Sequence, residues 1–375
     1  MKTKFIFILF CMNEPGRALV FGRSRGIIKD KQGRISTGNT EGRMTGKRIV
    51  WPRAGEAELQ EFEVSPPGRG EVLIGMEYSV LSAGTERACL IAKPNTPQTF
   101  PQYPGYCGIG RVVAAGGDVE TVRVGERVLA DHAGHCSLFV KPAAGLTVVD
   151  PAADPLEAAF TVIAAMSLQG VRKARIELGE AVLVEGLGLL GIFAVELAKL
   201  DGALTVIATD FEEKRRGLAL ALGADLVFSP DDPELAEKVK AATGGRGADA
   251  VIEVTGSAHA LNQALECASF RGRVVLLGCT RISDEPVDFY RDVHRPGISI
   301  VGAHNFVRPK EDSSPGYWTY RDDFRTLLGL AAAKRFRARP VISEIVRPEE
   351  APAVYRRLAE CAHPPLGIVF DWRKL

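Results

Sequence analysis

Two hydrophobic periods divide the chain. From Met44 to about Glu157, apolar residues come in short runs punctuated by Gly and Pro, and six of these runs read as strands: Arg48–Trp51, Glu61–Val64, Glu71–Tyr78, Ile109–Ala114, Arg127–Ala130 and Ser137–Lys141. Pro104-Gly105 and Ala115-Gly116-Gly117 read as the turns between them. This stretch predicts a partly open, mostly antiparallel β domain. Around Pro155–Arg175 the period lengthens to that of a helix. From Leu178 to about Gly302, strands at Ala181–Val184, Thr205–Ala208, Leu226–Phe228, Ala250–Val254, Arg273–Leu277 and Ser299–Val301 alternate with helices at Ile192–Lys199, Glu212–Leu222, Pro233–Thr243 and Ala258–Cys267. Such alternation predicts a doubly wound parallel sheet. A polar loop (Phe306–Tyr317), a helix (Tyr320–Ala333) and a last strand–helix stretch reaching Arg357 follow.

The first strand of the parallel sheet runs into Gly186-Leu187-Gly188-Leu189-Leu190-Gly191, a helix follows at once, and the next strand ends in Asp210. In that context each glycine serves a separate need. Gly186 permits a tight turn, Gly188 allows close approach of a pyrophosphate, and Gly191 lets helix and strand pack closely. The helix N-terminus offers unpaired N–H groups to phosphates. This is a dinucleotide fingerprint. The carboxylate of Asp210 suits free ribose hydroxyls and repels a 2′-phosphate, so NAD is the expected cofactor. Lys214, Arg215 and Arg216 follow closely, and Arg215 is the residue placed to admit NADP instead.

At 375 residues the chain can hold two domains, and its 46% hydrophobic and 25% charged residues are those of a globular protein. A net charge of +1 points to no nucleic-acid and no membrane partner. Residues 1–43 stand apart, with nine basic and three acidic residues and a short apolar run, Phe5–Cys11. They are expected to be a disordered or wrongly assigned extension, with organised sequence starting at Met44; the run is too short to span a membrane. Seven scattered cysteines without a CxxC suit a reducing, cytoplasmic setting.

Several segments resemble the medium-chain dehydrogenase/reductase superfamily, the zinc alcohol dehydrogenase relatives, over about residues 45–370. Pro104-Gly105-Tyr106-Cys107-Gly108-Ile109-Gly110, running on to Val112-Val113-Ala114-Ala115-Gly116, is similar to its P-G-H-E-x-x-G-x-V-x-x-x-G, and Val124-Gly125-Glu126-Arg127-Val128 to its V-G-D-R-V. Val254-Thr255-Gly256 and Leu277-Gly278 match loops that surround the nicotinamide. The resemblance implies a GroES-like catalytic domain over 44–160, a Rossmann domain over 161–305 and a C-terminal return over 306–375. It also implies a small-molecule substrate and a homodimer paired through the strand near Ile298–Ala303.

The resemblance breaks at the metal. Leu81-Ser82-Ala83-Gly84-Thr85-Glu86 keeps the family's Thr-Glu pair but has Ala83 where the zinc enzymes carry Cys. Tyr106 and Cys107 replace their His and Glu, and the last ligand position falls near Val162. The expected branch is therefore zinc-free, similar to bacteriochlorophyllide hydroxyethyl dehydrogenase-like proteins. A nonstandard metal site from His132, His135, Cys136, Cys107 and Cys89 is the alternative. Without zinc, side-chain donors must stabilise the substrate oxygen. Thr85, matching the family's proton-relay hydroxyl, Tyr106, in the vacated ligand position, and His135, on a loop bordering the site, are the catalytic candidates, with Glu86 orienting neighbours. Arg291, His294, His304 and Asn305 and the loop Ser313–Trp318 border the substrate in this reading. The expected activity is hydride transfer between NAD(P) and a secondary alcohol or its ketone. Reduction of activated C=C bonds or quinones, and a non-catalytic dinucleotide-binding sensor, are the competing expectations.

Overall fold

The computed structural model describes residues 43–361 and 363–375. The expectations for residues 1–42 lie outside the described residues.

Strands β1 (Met44–Val50) and β2 (Glu58–Val64) form an antiparallel hairpin. The first large sheet uses β3 (Glu71–Leu81), β4 (Gly108–Ala115), β5 (Arg127–Leu129) and β6 (Leu138–Pro142), and helix α1 (Ala83–Leu90) follows β3 directly. A short α2 (Pro155–Ala158), capped by the Asp154 carboxylate, leads into α3 (Thr161–Ala174). The parallel sheet then builds through β7 (Ala181–Glu185), α4 (Leu189–Asp201), β8 (Thr205–Thr209), α5 (Glu213–Ala221) and β9 (Leu226–Phe228). It continues with α6 (Leu235–Ala242), β10 (Ala248–Glu253), α7 (Ala258–Cys267), β11 (Ala268–Leu276) and β12 (Ser299–Gly302). Helix α8 (Tyr320–Ala332), β13 (Ile342–Val346), α9 (Ala351–Glu360) and β14 (Gly367–Asp371) return to the first sheet.

All six strands of the parallel sheet pair in the order β12-β11-β10-β7-β8-β9, the doubly wound arrangement expected. All five residues of β7 are buried because both faces are covered. Val182 and Val184 pack in one apolar cluster with α3 and α4, while Leu183 packs in another with Val239 and Leu265 of α6 and α7. Each such side chain contributes about 1.5–3 kcal/mol on full burial.

Two elements lie outside the sequence reading. Helix α1 starts at Ala83, so Thr85 lies inside its first turn. Strand β14 is an element beyond the last stretch expected; it sits between β13 and β3 in the order β13-β14-β3-β4-β5. Its five buried residues are too few to show a period, and the partner that defines it, Leu81 against Ile368, lies far away in sequence.

Candidate active site

The glycine loop has the shape that its sequence predicted. Gly186 is left-handed at φ +89°, and a Cβ there would come within 2.7 Å of Thr255 Cγ2. A Cβ on Gly191 would sit 1.8 Å from the Gly186 carbonyl oxygen, so the first turn of α4 lies directly on the loop. Gly188, the N-cap of α4, has open space where its Cβ would be and gives no side-chain cap. The amides of Leu189, Leu190 and Gly191 in that first turn have no partner within the helix, and they border this space. A diphosphate fits such a cradle. Ser167 Oγ donates to the Leu190 carbonyl at 2.8 Å and so ties α4 to α3.

Asp210 stands just after β8, and its carboxylate has protein partners of its own. Its Oδ2 accepts the Leu187 amide at 2.8 Å and its Oδ1 accepts the Glu212 amide at 2.8 Å, so the carboxylate pins the glycine loop itself. Arg215 Nη1 lies 3.8 Å from Oδ2, and its Nη2 donates to the Pro364 carbonyl. Lys214 is exposed, and Arg216 caps the Asp210 and Phe211 carbonyls. Arg215 is thus the cation beside Asp210.

The loops after β10 and β11 close the other side. Glu253 Oε1 accepts the Thr255 amide at 2.6 Å, the Gly256 amide at 2.9 Å and the Thr255 hydroxyl. The amides of Leu277 and Gly278 both donate to the Glu253 carbonyl, and a Cβ on Gly278 would lie 2.5 Å from the Gly256 nitrogen. Val254, Thr255, Gly256, Leu277 and Gly278 therefore gather beside Gly186 at the C-terminal ends of the strands, where open α/β sheets bind ligands. The reading of the sequence passed over Glu185 and Glu253, which support this floor.

The catalytic candidates divide. The Tyr106 hydroxyl donates to Ser82 Oγ at 2.6 Å, at the entrance to α1. Burial pushes this phenol well above its usual range, against hydrogen bonds from Ser82 and Thr85. Thr85 and Tyr106 thus share one polar spot. The Tyr106 ring stacks on His132 at 5.9 Å between centroids, and His132 meets Tyr320 of α8.

His135 is elsewhere, and its expected place at the rim is corrected here. It is 1% exposed, held beneath α1. Its Nδ1 lies 2.7 Å from Ser79 Oγ, and its Nε2 lies 3.2 and 3.3 Å from the two oxygens of Glu86. Trp372 Nε1 donates to Ser79 Oγ at 2.8 Å; with the Nε2–H directed at the Glu86 carboxylate, Nδ1 accepts a hydrogen bond from the Ser79 hydroxyl. Glu86 also accepts the Ser82 amide and the Tyr355 hydroxyl. The loop is sewn down by the His135 amide donating to Pro104 O and by Ile49 N donating to His135 O, which turns the ring inward.

The positions matched to metal ligands converge but offer no ligand set. Ala83 presents a methyl and Val162 an isopropyl group. Tyr106 is bonded to Ser82, and Cys107 donates to the Ala159 carbonyl at 3.0 Å, near the Val162 and Ile163 amides. Burial pushes the Cys107 thiol up to about 12. The alternative set is not assembled either, since Cys107 lies in one apolar cluster and Cys89 and Cys136 in another. Among the described residues no three His, Cys, Asp or Glu side chains are grouped to hold a metal. Farther out, Arg291 pairs with Asp292 on the surface, and His304 Nδ1 accepts the Phe306 amide.

A zinc-binding dehydrogenase family matches residues 190–333. L-threonine 3-dehydrogenase of Pyrococcus furiosus is 31% identical over 255 residues, covering 59% of this chain and 72% of that protein. The chain belongs to the zinc-binding dehydrogenase family. Its superfamily is that of the medium-chain, alcohol dehydrogenase-like enzymes. D-guloside 3-dehydrogenase of Escherichia coli is 30% identical over 207 residues, 55% of this chain but only 58% of that enzyme's length. The fold is shared with a protein of Sinorhizobium meliloti 1021 solved bound to NADP, with a TM-score of 0.75 at 22% identity over 88% of this chain and 99% of that one.

Proposed function

We propose that this chain is an NAD(P)-dependent oxidoreductase that moves a hydride between nicotinamide and a secondary alcohol or its ketone, without catalytic zinc. One observation carries the reading: a dinucleotide cradle open at Gly188 stands in a chain whose former metal positions hold the Tyr106–Ser82 hydrogen bond. The nicotinamide, when bound, supplies or takes the hydride. The residues that would hold the cofactor are Gly186 to Gly191 for the diphosphate, Asp210 with Arg215 for the adenosine ribose, and Val254–Gly256 with Leu277 and Gly278 for the nicotinamide end. NAD is favoured by the carboxylate of Asp210, and NADP is admitted by Arg215.

Zinc would polarise the substrate oxygen, an effect of several kcal/mol. Here the hydroxyls of Thr85 and Tyr106 take that place and donate to the developing alkoxide. Tyr106 exchanges its bond to Ser82 Oγ for one to the alkoxide, and the Ser82 hydroxyl then donates to the Tyr106 oxygen. Glu86 and His135 are positioning residues: their buried bonds to the Ser82 amide and to Ser79 fix the start of α1, and with it Thr85. The two-domain division, 44–160 with 306–375 around a Rossmann domain over 161–305, belongs to the same reading. So does a cytoplasmic homodimer, its subunits joined through the free edge of β12. No helix among the described residues is long and apolar enough to cross a membrane.

The test is metal content of protein spanning Met44 to Leu375, alongside NADH and NADPH titrations by nicotinamide fluorescence and an alcohol and ketone screen. Metal-free protein that binds NADH and turns over a secondary alcohol is expected. Stoichiometric zinc required for turnover would overturn the zinc-free mechanism, and cofactor binding without turnover would favour the sensor.

A further inference from the structure

Helix α3 presents Gln169, Arg172 and Lys173 on one face, at spacings of three and four. Across from them run Val307–Pro309 and Gly316–Trp318, and between lies a shallow, open groove whose enclosed free space is about 10 Å3. The charges around it do not balance. Three cations, Arg172, Lys173 and Arg308, face one carboxylate, Asp323, which is fully buried with both oxygens taken: Oδ1 accepts Arg172 Nε at 2.8 Å and Oδ2 accepts Arg308 Nη1. Arg308 is largely committed, since it also donates to the Trp318 and Ala165 carbonyls.

Arg172 is committed only through Nε, and the Lys173 ammonium is not committed. The Arg172 guanidinium lies 4.0 Å over the Trp318 ring centroid, and the Lys173 ammonium 3.4 Å over that of Tyr317. Neither the Nη groups of Arg172 nor the ammonium of Lys173 makes a hydrogen bond to another described residue. A guanidinium held over an indole by its carbon leaves the Nη groups free to receive an oxyanion. Arg175 adds a further cation at the rim, its Nε 3.7 Å from where a Cβ on Gly316 would stand.

We propose that this groove binds a compact oxyanion, a phosphate or carboxylate group, on the Nη edge of Arg172 and the ammonium of Lys173. The anion replaces the aromatic faces as the partner of two charges that Asp323 does not neutralise. The groove is tied to the loop leaving β12, because Gln169 Nε2 donates to the Ala303 and His304 carbonyls. Its occupant is either a free anion or the charged tail of a substrate.

Inorganic phosphate against chloride, at constant ionic strength, is the probe, read by thermal denaturation of the full chain. A saturable rise in Tm with phosphate is expected. Lys173→Glu leaves both Asp323 pairs in place and puts a carboxylate in the groove; it is expected to weaken phosphate at least about tenfold, or 1.4 kcal/mol. Lys173→Gln, expected to weaken it less, serves if the first variant does not fold. No phosphate-specific shift, or an equal shift in the variants, overturns the proposal. Either source supports it: competition by phosphate against an anionic alcohol marks a substrate tail, and a shift in Tm without competition marks a free anion. NADH titration of each variant reports the cofactor site separately, so this result stands apart from the proposed hydride transfer.

Discussion

Glu185 and Glu253 stand opposite each other in register on adjacent parallel strands, both 1% exposed, at the edge where the cofactor loops begin. Glu253 is bonded to three donors of the Thr255–Gly256 turn, whereas both oxygens of Glu185 lack partners. Two carboxylates cannot both stay charged there. Burial, and then the charge of Glu253, hold Glu185 well above the usual carboxylate range, so it is the member that keeps a proton. A folded-state pKa above the unfolded one contributes stability below about pH 4 that is lost as pH rises toward the folded value. Glu185→Gln is therefore expected to stabilise the protein at neutral pH by about 1–3 kcal/mol. Urea denaturation between pH 5 and pH 9 measures this; an unchanged slope with pH would mean that Glu185 is ionised and partnered.

The glycine loop separates fold from binding. Gly191→Ala drives a methyl into the Gly186 carbonyl and is expected to abolish NADH binding and lower Tm. Gly188→Ala meets no protein atom, so Tm should hold while NADH affinity falls about tenfold, or 1.4 kcal/mol. Paired melting and fluorescence titrations read both. Equal affinity in Gly188→Ala would place the diphosphate elsewhere.

Removing one donor aimed at a developing oxyanion costs about 100- to 1,000-fold in kcat. Tyr106→Phe and Thr85→Val are each expected to approach that loss with NADH affinity unchanged. The double variant should lose less than the product of the two, because both hydroxyls serve one oxygen. Full activity in Tyr106→Phe would reduce its phenol to a packing group held by Ser82.

Asp210→Asn keeps an acceptor for the Leu187 or Glu212 amide but removes the charge beside Arg215. The ratio of NADPH to NADH affinity is expected to rise about tenfold, a change of 1.4 kcal/mol. Arg215→Ala should move the ratio the other way. Titrations of both cofactors with both variants give the answer, and an unmoved ratio would take Asp210 out of cofactor selection.

The alternation that makes the parallel sheet, the glycine loop and Asp210 after β8 were legible because each is written in contiguous residues: an apolar run, a glycine spacing, an acid at a strand end. Tyr106 beside Thr85 was legible only by alignment to a family pattern. His135 was not, since its direction is decided by Ser79, Trp372 and Glu86, contributed by three distant segments. The same holds for Glu185. As a residue at a strand end it reads as ordinary, and only its register against Glu253 makes it unusual.

Strand β14 lies between β13 and β3, and the Trp372 that follows it supplies the indole proton to Ser79 beneath α1. A nascent chain therefore carries Thr85, Tyr106 and His135 out of the ribosome long before the strand that braces them exists. The parallel sheet is complete by Gly302. The brace on the hydroxyl cluster comes only with residues 367–372, so the first sheet joins segments made far apart in time.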